Sequence, residues 1–255
     1  MDRVETKLSV NLNKVALLRN QRDVGYPSVL EMARMVVAAG AHGLTVHPRP
    51  DERHIRRSDV PALATLIETE LPDGIEFNVE GYPTSDFIEL VRETQPDQVT
   101  LVPDAPDQRT SDHGWDLAAQ KNLLRDIISD LRETGARICL FMDPDPNEMA
   151  KAAAVGADRI ELYTGPYAEA FDAGDAIPSL KRYAEAAEAA MAAGLGINAG
   201  HDLSLDNLPS FRRALPMLAE VSIGHAITSD ALRIGFLAAV EAYLRALRPL
   251  SVELA

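Results

Sequence analysis

The sequence predicts a single (β/α)8 barrel, an α/β fold running as one domain through residues 1–255. Three observations predict it. Short β-type runs alternate with helix-length amphipathic segments for eight rounds, a glycine phrase recurs where helix passes into strand, and polar side chains gather where the strands finish.

In chain order the strands are predicted at 8–13, 43–47, 75–80, 98–102, 137–142, 159–164, 196–199 and 221–224. Each is a short run rich in Val, Ile, Leu or Phe, as a parallel sheet covered on both faces requires. Amphipathic stretches at 29–39, 116–134 and 178–193 are the clearest helices between them. The helix-to-strand joins read Ala39-Gly40-Ala41, Thr134-Gly135-Ala136, Val155-Gly156-Ala157 and Ala193-Gly194-Leu195. Glycine past the last turn ends a helix because it takes the left-handed conformation without a steric penalty. Asp145-Pro146-Asn147-Glu148 is a helix start: a capping carboxylate, proline at the first helical position and an acid two residues later. Eight such rounds in about 250 residues match a closed barrel. An open flavodoxin-like sheet has only five or six strands and leaves about a third of the chain without a place. The strand ends opposite the polar rim are expected to be apolar or glycine. Two connections are long, 103–115 and 165–179. Both leave carboxyl ends of strands, where barrel active sites are built, and the first is the stronger lid candidate.

Composition narrows the partners. A formal net charge of −14 repels nucleic acid and anionic membranes. No apolar run reaches the roughly 18 residues of a membrane span, and residues 1–5 show no signal-peptide core, so a cytoplasmic protein is expected. The one cysteine, Cys139, lies in Ile138-Cys139-Leu140-Phe141 and is expected to be a buried, inert thiol. Arginine supplies 20 of the 25 basic residues, so any local gathering of Arg and His stands out.

Such a gathering lies on the strand ends. Read in order they carry Asn11 and Asn13, His47 and Arg49, Glu80, Asp104, Asp143, Glu161, His201, then Gly224 and His225. Three of the six histidines are at these ends and His54 is in the following loop. The steps Gly200-His201 and Gly224-His225 follow strands seven and eight, where barrels often hold phosphate on backbone N–H groups. The segment 47–57 packs four Arg and two His into an acidic protein, with His47 and Arg49 flanked by prolines. Arg49 is suited to fork onto a phosphate or carboxylate, and His47 to move protons. Together these predict an enzyme acting on small phosphorylated substrates. Rival readings remain open at this stage. A metal-dependent barrel lyase or hydrolase on a phosphorylated sugar would use His47, His201, His225, Glu80 and Glu161 as ligands, although no close His-x-His or Glu-x-x-His pair supports it. A Schiff-base aldolase would have only Lys14, of five lysines, near a strand end. A non-catalytic sensor of a phosphorylated metabolite would not need the carboxylates.

The stretches Ser9-Val10-Asn11-Leu12-Asn13, Thr45-Val46-His47-Pro48-Arg49 with Arg53-His54-Ile55, Asn78-Val79-Glu80, Leu101-Val102-Pro103, Asn198-Ala199-Gly200-His201 and Ile223-Gly224-His225-Ala226-Ile227 resemble, in one register over 8–247, the pyridoxine 5′-phosphate synthases. The resemblance implies a (β/α)8 barrel with extra helices that condenses 3-amino-2-oxopropyl phosphate with 1-deoxy-D-xylulose 5-phosphate. It implies no metal, no organic cofactor and a homo-octamer. It places proton acceptors on His47 and Glu80, a proton donor on His201 and a transition-state-stabilising carboxylate on Glu161. It places the aminoketone phosphate on Asn11, Arg22, Gly224 and His225, with Arg22 reaching a neighbouring subunit's site. It places the sugar phosphate on Arg49, His54 and Thr110. Two departures accompany it. Asn13-Lys14 stands where the best-known members carry Asp-His, and Lys14 is expected to take over as donor to the sugar phosphate. Asp202 stands where glycine is usual, and is expected to bind substrate through its backbone N–H with its side chain turned away.

Overall fold

Eight parallel strands close on themselves in chain order in the computed structural model, which describes residues 5–22, 24–104, 108 and 110–248. They are β1 (Lys7–Asn11), β2 (Gly43–Val46), β3 (Glu76–Gly81), β4 (Gln98–Leu101), β5 (Arg137–Met142), β6 (Arg159–Leu162), β7 (Gly196–Ala199) and β8 (Glu220–Ile223), and β1 pairs with β8 to complete the ring. Around them α1 (Asn13–Arg19) and α2 (Val29–Ala38) follow β1, α3 (Asp59–Thr69) follows β2 and α4 (Ser85–Thr94) follows β3. Next come α5 (Leu117–Leu131), prolonged by a 3-10 turn at Arg132–Thr134, and α6 (Pro146–Val155). The chain ends with α7 (Gly165–Asp172), α8 (Ala176–Ala192), α9 (Leu208–Ala214), α10 (His225–Ile234) and α11 (Phe236–Leu247). Three connections, after β1, β6 and β8, carry two helices, so the barrel has extra helices.

The predicted punctuation is present. Gly40, Gly135, Gly156 and Gly194 all take positive φ at helix ends, and the Asp145 side chain accepts the Asn147 N–H at the start of α6. Several strand bounds shift by one or two residues, and two differences bear on the site. The first strand stops at Asn11, and Asn13 already belongs to α1. The connection 165–179 is mostly helix. Pro166 is compatible with the first turn, and Tyr167 is fully buried against Tyr183 and Phe211, with ring centroids 6.1 Å and 5.1 Å away. A segment pinned that way is wall, not lid.

A larger difference lies inside the barrel. The strands alternate strictly: Leu8, Val10, Leu44, Phe77, Val79, Val99, Ile138, Leu140, Ile160, Ile197 and Val221 face the helices and form one continuous core with them. The residues between them are polar, apart from Cys139, and meet around the axis. Ser9 bonds Thr45 at 2.7 Å, Thr100 donates to Asn78 at 3.0 Å, and Asn198 on β7 donates across to Gln98 on β4 at 3.3 Å. At the amino ends, where apolar residues or glycine were expected, Arg137 pairs with Glu76, and Arg159 lies 3.7 Å from Glu220 and donates to Asn198 at 3.1 Å. The overturned expectation treated each strand as a uniform apolar run, whereas its period of two puts every second residue on the axis.

Burial, then the neighbouring Glu76 carboxyl, pushes Glu220 up to about 8. A carboxyl raised on folding binds more protons in the folded than in the unfolded chain, so its stabilising contribution is complete below its ordinary range and is lost as pH rises through the folded value. Urea unfolding at pH 6 and pH 8 should therefore show Glu220→Gln losing about 1–2 kcal/mol less than the parent between the two. Equal losses would show that this carboxyl does not titrate in the folded barrel.

Candidate active site

The carboxyl ends of the strands open into a cavity of about 700 Å³. Of the residues predicted for the site, Asn11, Asn13, Lys14, His47, Arg49, His54, Glu80, Thr110, Glu161, His201, Asp202, Gly224 and His225 all line it. Arg22 does not; it is exposed beyond the end of α1. Because α1 starts two residues after β1, Asn13 and Lys14 are held on a helical turn at the rim. Asn11 Oδ1 accepts the Asn13 N–H at 2.9 Å, and Asn13 Oδ1 accepts the His47 N–H at 2.9 Å, so the ends of β1 and β2 are stitched together.

His47 and Glu80 face each other, with Nδ1 3.9 Å from Oε2, and Asn11 donates to the same Glu80 oxygen at 3.4 Å. Burial, followed by the charges of Arg49, His54 and Arg53, holds His47 well below the usual histidine range. Burial and the neighbouring Glu161 hold Glu80 well above the usual carboxylate range. Burial thus works against both charged forms and disfavours a salt bridge between the two. Burial lifts Glu161 to about 7 against the opposing pull of His201. Carboxyls brought towards neutrality can take and return protons at physiological pH.

Positive charge is arranged beside these groups. Arg49 is buried, pairs with Asp104, and donates to the Gln108 carbonyl at 3.0 Å. Ser111 donates to the same Asp104 oxygen at 2.8 Å. His54 is pulled down to about 4 by burial and then by Arg49, Lys14 and Arg53. Its Nδ1 accepts the Ile55 N–H at 2.9 Å, which leaves Nε2–H of the neutral ring as a donor. At the end of β8, Gly224 and His225 open α10, a ten-residue helix with no acidic side chain in its first turn and no side-chain cap, so its free N–H groups can receive an anion. Cationic side chains and a helix N-terminus thus line the same cavity as His47, Glu80, Glu161 and His201.

The connection after β4 reaches over this cavity. Thr110 Oγ1 shares a 2.6 Å hydrogen bond with His201 Nε2, and Trp115 anchors the far end by donating to the Leu101 carbonyl at 2.8 Å. The lid expectation also involves residues 105–107 and 109, which lie outside the described residues. Asp202 behaves differently from its expectation. Its side chain turns to His201, and its N–H is engaged by Thr164 Oγ1 at 3.3 Å. Sequence reasoning noted Asp104 only as a strand-end acid and missed its partnership with Arg49; the signal was an acid directly after the Leu101-Val102-Pro103 motif. It also missed Arg53 and Ser111 in the lining. Among the described residues, no three His, Cys, Asp or Glu side chains are grouped to hold a metal ion, so the metal-dependent reading gains no geometric support.

Gly200 is required by close approach: a Cβ there would collide with the backbone carbonyl of Ser222 on β8. Gly200→Ala should lower unfolding free energy by about 1–3 kcal/mol through that forced displacement. A denaturant midpoint equal to that of the parent would mean that β7 and β8 part more easily than this packing implies.

The chain is similar to known proteins over most of its length. The family model described as pyridoxal phosphate biosynthesis protein PdxJ matches residues 8–249. A pyridoxine 5′-phosphate synthase of Mesorhizobium japonicum is 56% identical over 241 residues, covering 94% of this chain and 98% of that one. Its counterpart in Allorhizobium ampelinum is 54% identical over 243 residues, covering 94% and 97%. Among solved structures, tryptophan synthase from M. tuberculosis superposes with a TM-score of 0.64 at 13% identity, covering 96% of this chain and 93% of that chain, a likeness of fold alone.

Proposed function

The chain belongs to the family of the pyridoxal phosphate biosynthesis protein PdxJ, and we propose that it acts there as a pyridoxine 5′-phosphate synthase. Its substrates are then 3-amino-2-oxopropyl phosphate and 1-deoxy-D-xylulose 5-phosphate, joined to form the pyridine ring with release of phosphate and water. The observation that carries this assignment is that every predicted site residue except Arg22 lines one cavity.

In this mechanism the aminoketone phosphate lies on the first turn of α10 at Gly224 and His225, with Asn11 beside it. The sugar phosphate lies on Arg49, His54, Lys14 and Thr110, and Asn13 holds the strand end that carries His47. Imine formation, phosphate elimination, dehydration and ring closure each need a proton moved. Neutral His47 is suited to accept one, Glu80 and Glu161 to take and return one, and protonated His201 to give one. The loop above the cavity would keep bulk water from the imine. No metal or organic cofactor has a role in these steps. Arg22, exposed in the single chain, fits a contribution to the site of a second copy within a homo-octamer, in a cytoplasmic enzyme. No described helix is long and apolar enough to cross a membrane.

The direct test mixes the purified protein with both phosphates in the presence of EDTA and detects pyridoxine 5′-phosphate by mass. Product is expected from the parent, with His47→Ala and Glu80→Gln slower by about a hundred- to ten-thousandfold. Product that appears only when divalent metal is restored would make the synthase metal-dependent, and no product under any condition would favour a lyase or hydrolase acting on another phosphorylated substrate. Sedimentation of the parent and activity of Arg22→Ala test the assembly, and a fully active monomer would remove Arg22 from the site.

A further inference from the structure

His201 is held from both sides by groups far apart in sequence. Nδ1 lies 2.8 Å from Asp202 Oδ2, and Nε2 lies 2.6 Å from Thr110 Oγ1. Asp202 is an acceptor when ionised, so Nδ1 must carry hydrogen. The Asp202 backbone is itself fixed by its N–H bond to Thr164, whose side chain is fully buried after β6. The carboxylate therefore approaches the ring from an anchored turn.

We propose that Asp202 is a positioning residue that fixes His201 with hydrogen on Nδ1 and sustains its imidazolium form, so that the proton given to substrate leaves from Nε2. This rests on the assignment of His201 as proton donor in the mechanism above. The imidazolium has a matched acceptor on each side, the Asp202 carboxylate at Nδ1 and the Thr110 oxygen at Nε2. When substrate oxygen takes the place of the Thr110 hydroxyl, the Nε2–H bond breaks and an O–H bond forms. The electron pair stays on Nε2, and the neutral ring keeps its Nδ1–H on Asp202. No further donor or acceptor is required.

The surrounding charges agree with this arrangement. From β6, Glu161 and the edge of the Tyr163 ring face His201, with ring centroids 6.1 Å apart. Asp104 acts on it from the connection after β4, and His47 faces it across the cavity. Burial alone would lower His201; the bond and charge of Asp202, then Glu161 and Asp104, raise it above the usual histidine range. Of these groups, Asp202 is the one within hydrogen-bond distance.

The test compares the parent with Asp202→Asn and Asp202→Glu, using two measurements. Deuterium exchange at the imidazole C2 position, followed by mass spectrometry across pH, reads the titration of His201 without any substrate. Its midpoint should fall in Asp202→Asn, return towards the parent in Asp202→Glu, and leave His225 and His54 unmoved. A His201 midpoint that is the same in all three proteins overturns the proposal, whatever happens to activity. The pH dependence of kcat is the second measurement. Below the His201 midpoint the donor is protonated, and activity falls as pH rises through it. The alkaline limb of Asp202→Asn should therefore move to lower pH, with kcat at pH 8 reduced about threefold to tenfold relative to pH 6 when compared with the parent. An exchange midpoint that falls while the limb stays in place supports the Asp202–His201 coupling and overturns the assignment of His201 as donor.

Discussion

The barrel depends on a division of labour along each strand, in which alternate residues serve the helices and the axis. Eight strands of four to six residues leave no room for irregularity, so a one-residue slip in any of them would carry Leu or Val to the axis and Asn, Glu or Arg under a helix. The axial residues are polar almost throughout, and many pair across the ring, as Gln98 Oε1 does by accepting from Arg137 and Asn198, while Gln98 Nε2 and Ser222 Oγ have no hydrogen-bond partner among the described residues. An axis of this kind gives less apolar burial than the branched side chains common in such barrels. It fixes register in return, because each axial group loses about 1–3 kcal/mol if its partner moves away. The stability of the fold accordingly comes from the outer core between strands and helices, and its uniqueness from the inner one.

The same constraint creates the chemistry. Glu80, Glu161 and Glu220 lie on the axial face because of strand period, and there they are short of water and near one another. All three are raised by burial first. Glu220 belongs to the amino-terminal network with Glu76 and Arg159, far from the rim, while Glu80 and Glu161 open on the cavity. One physical cause thus gives two outcomes, separated by which end of the strand the carboxyl occupies. Connections at the rim then add what strands cannot. Arg49 arrives on the stiff Pro48-Arg49-Pro50 segment and is received by Asp104 and by the Gln108 carbonyl, so the loops after β2 and β4 are joined through one guanidinium.

Much of this was legible in the sequence. Strand positions, helix-ending glycines and the gathering of His, Asn and Arg at strand ends are local signals with fixed spacing, and they survived folding. The inner face was not legible, although Glu76-Phe77-Asn78-Val79-Glu80 alternates plainly, because attention to apolar runs hides a period of two. The helix at 165–172 was missed because Gly165-Pro166 looks like loop chemistry until Tyr167 is seen to bury. Pairings such as Arg49 with Asp104, and Thr110 with His201, join residues 55 and 91 positions apart, and no local pattern encodes them. Asp202 is the clearest case. Its identity was recognised as a departure, but which way the carboxylate turned depended on where Thr164 and His201 stood.

An anion entering this cavity acts on the charges that line it. An acidic chain of net charge −14 has drawn Lys14, Arg49, Arg53 and two depressed histidines onto one rim. His47 is neutral there partly because Arg49, His54 and Arg53 repel its proton. A dianion seated on Arg49 and His54 cancels much of that repulsion, since opposite charges within about 4–6 Å favour the protonated ring. Burial of His47 remains, so the gain in basicity comes from the anion alone. His47 therefore becomes a stronger base when an anion is in place. Glu80 and Glu161 respond in the opposite sense, because added negative charge raises a carboxyl further. Anion binding thus biases the whole set towards its protonated forms, with His47 moving up from below its usual range and the two carboxyls rising further above theirs.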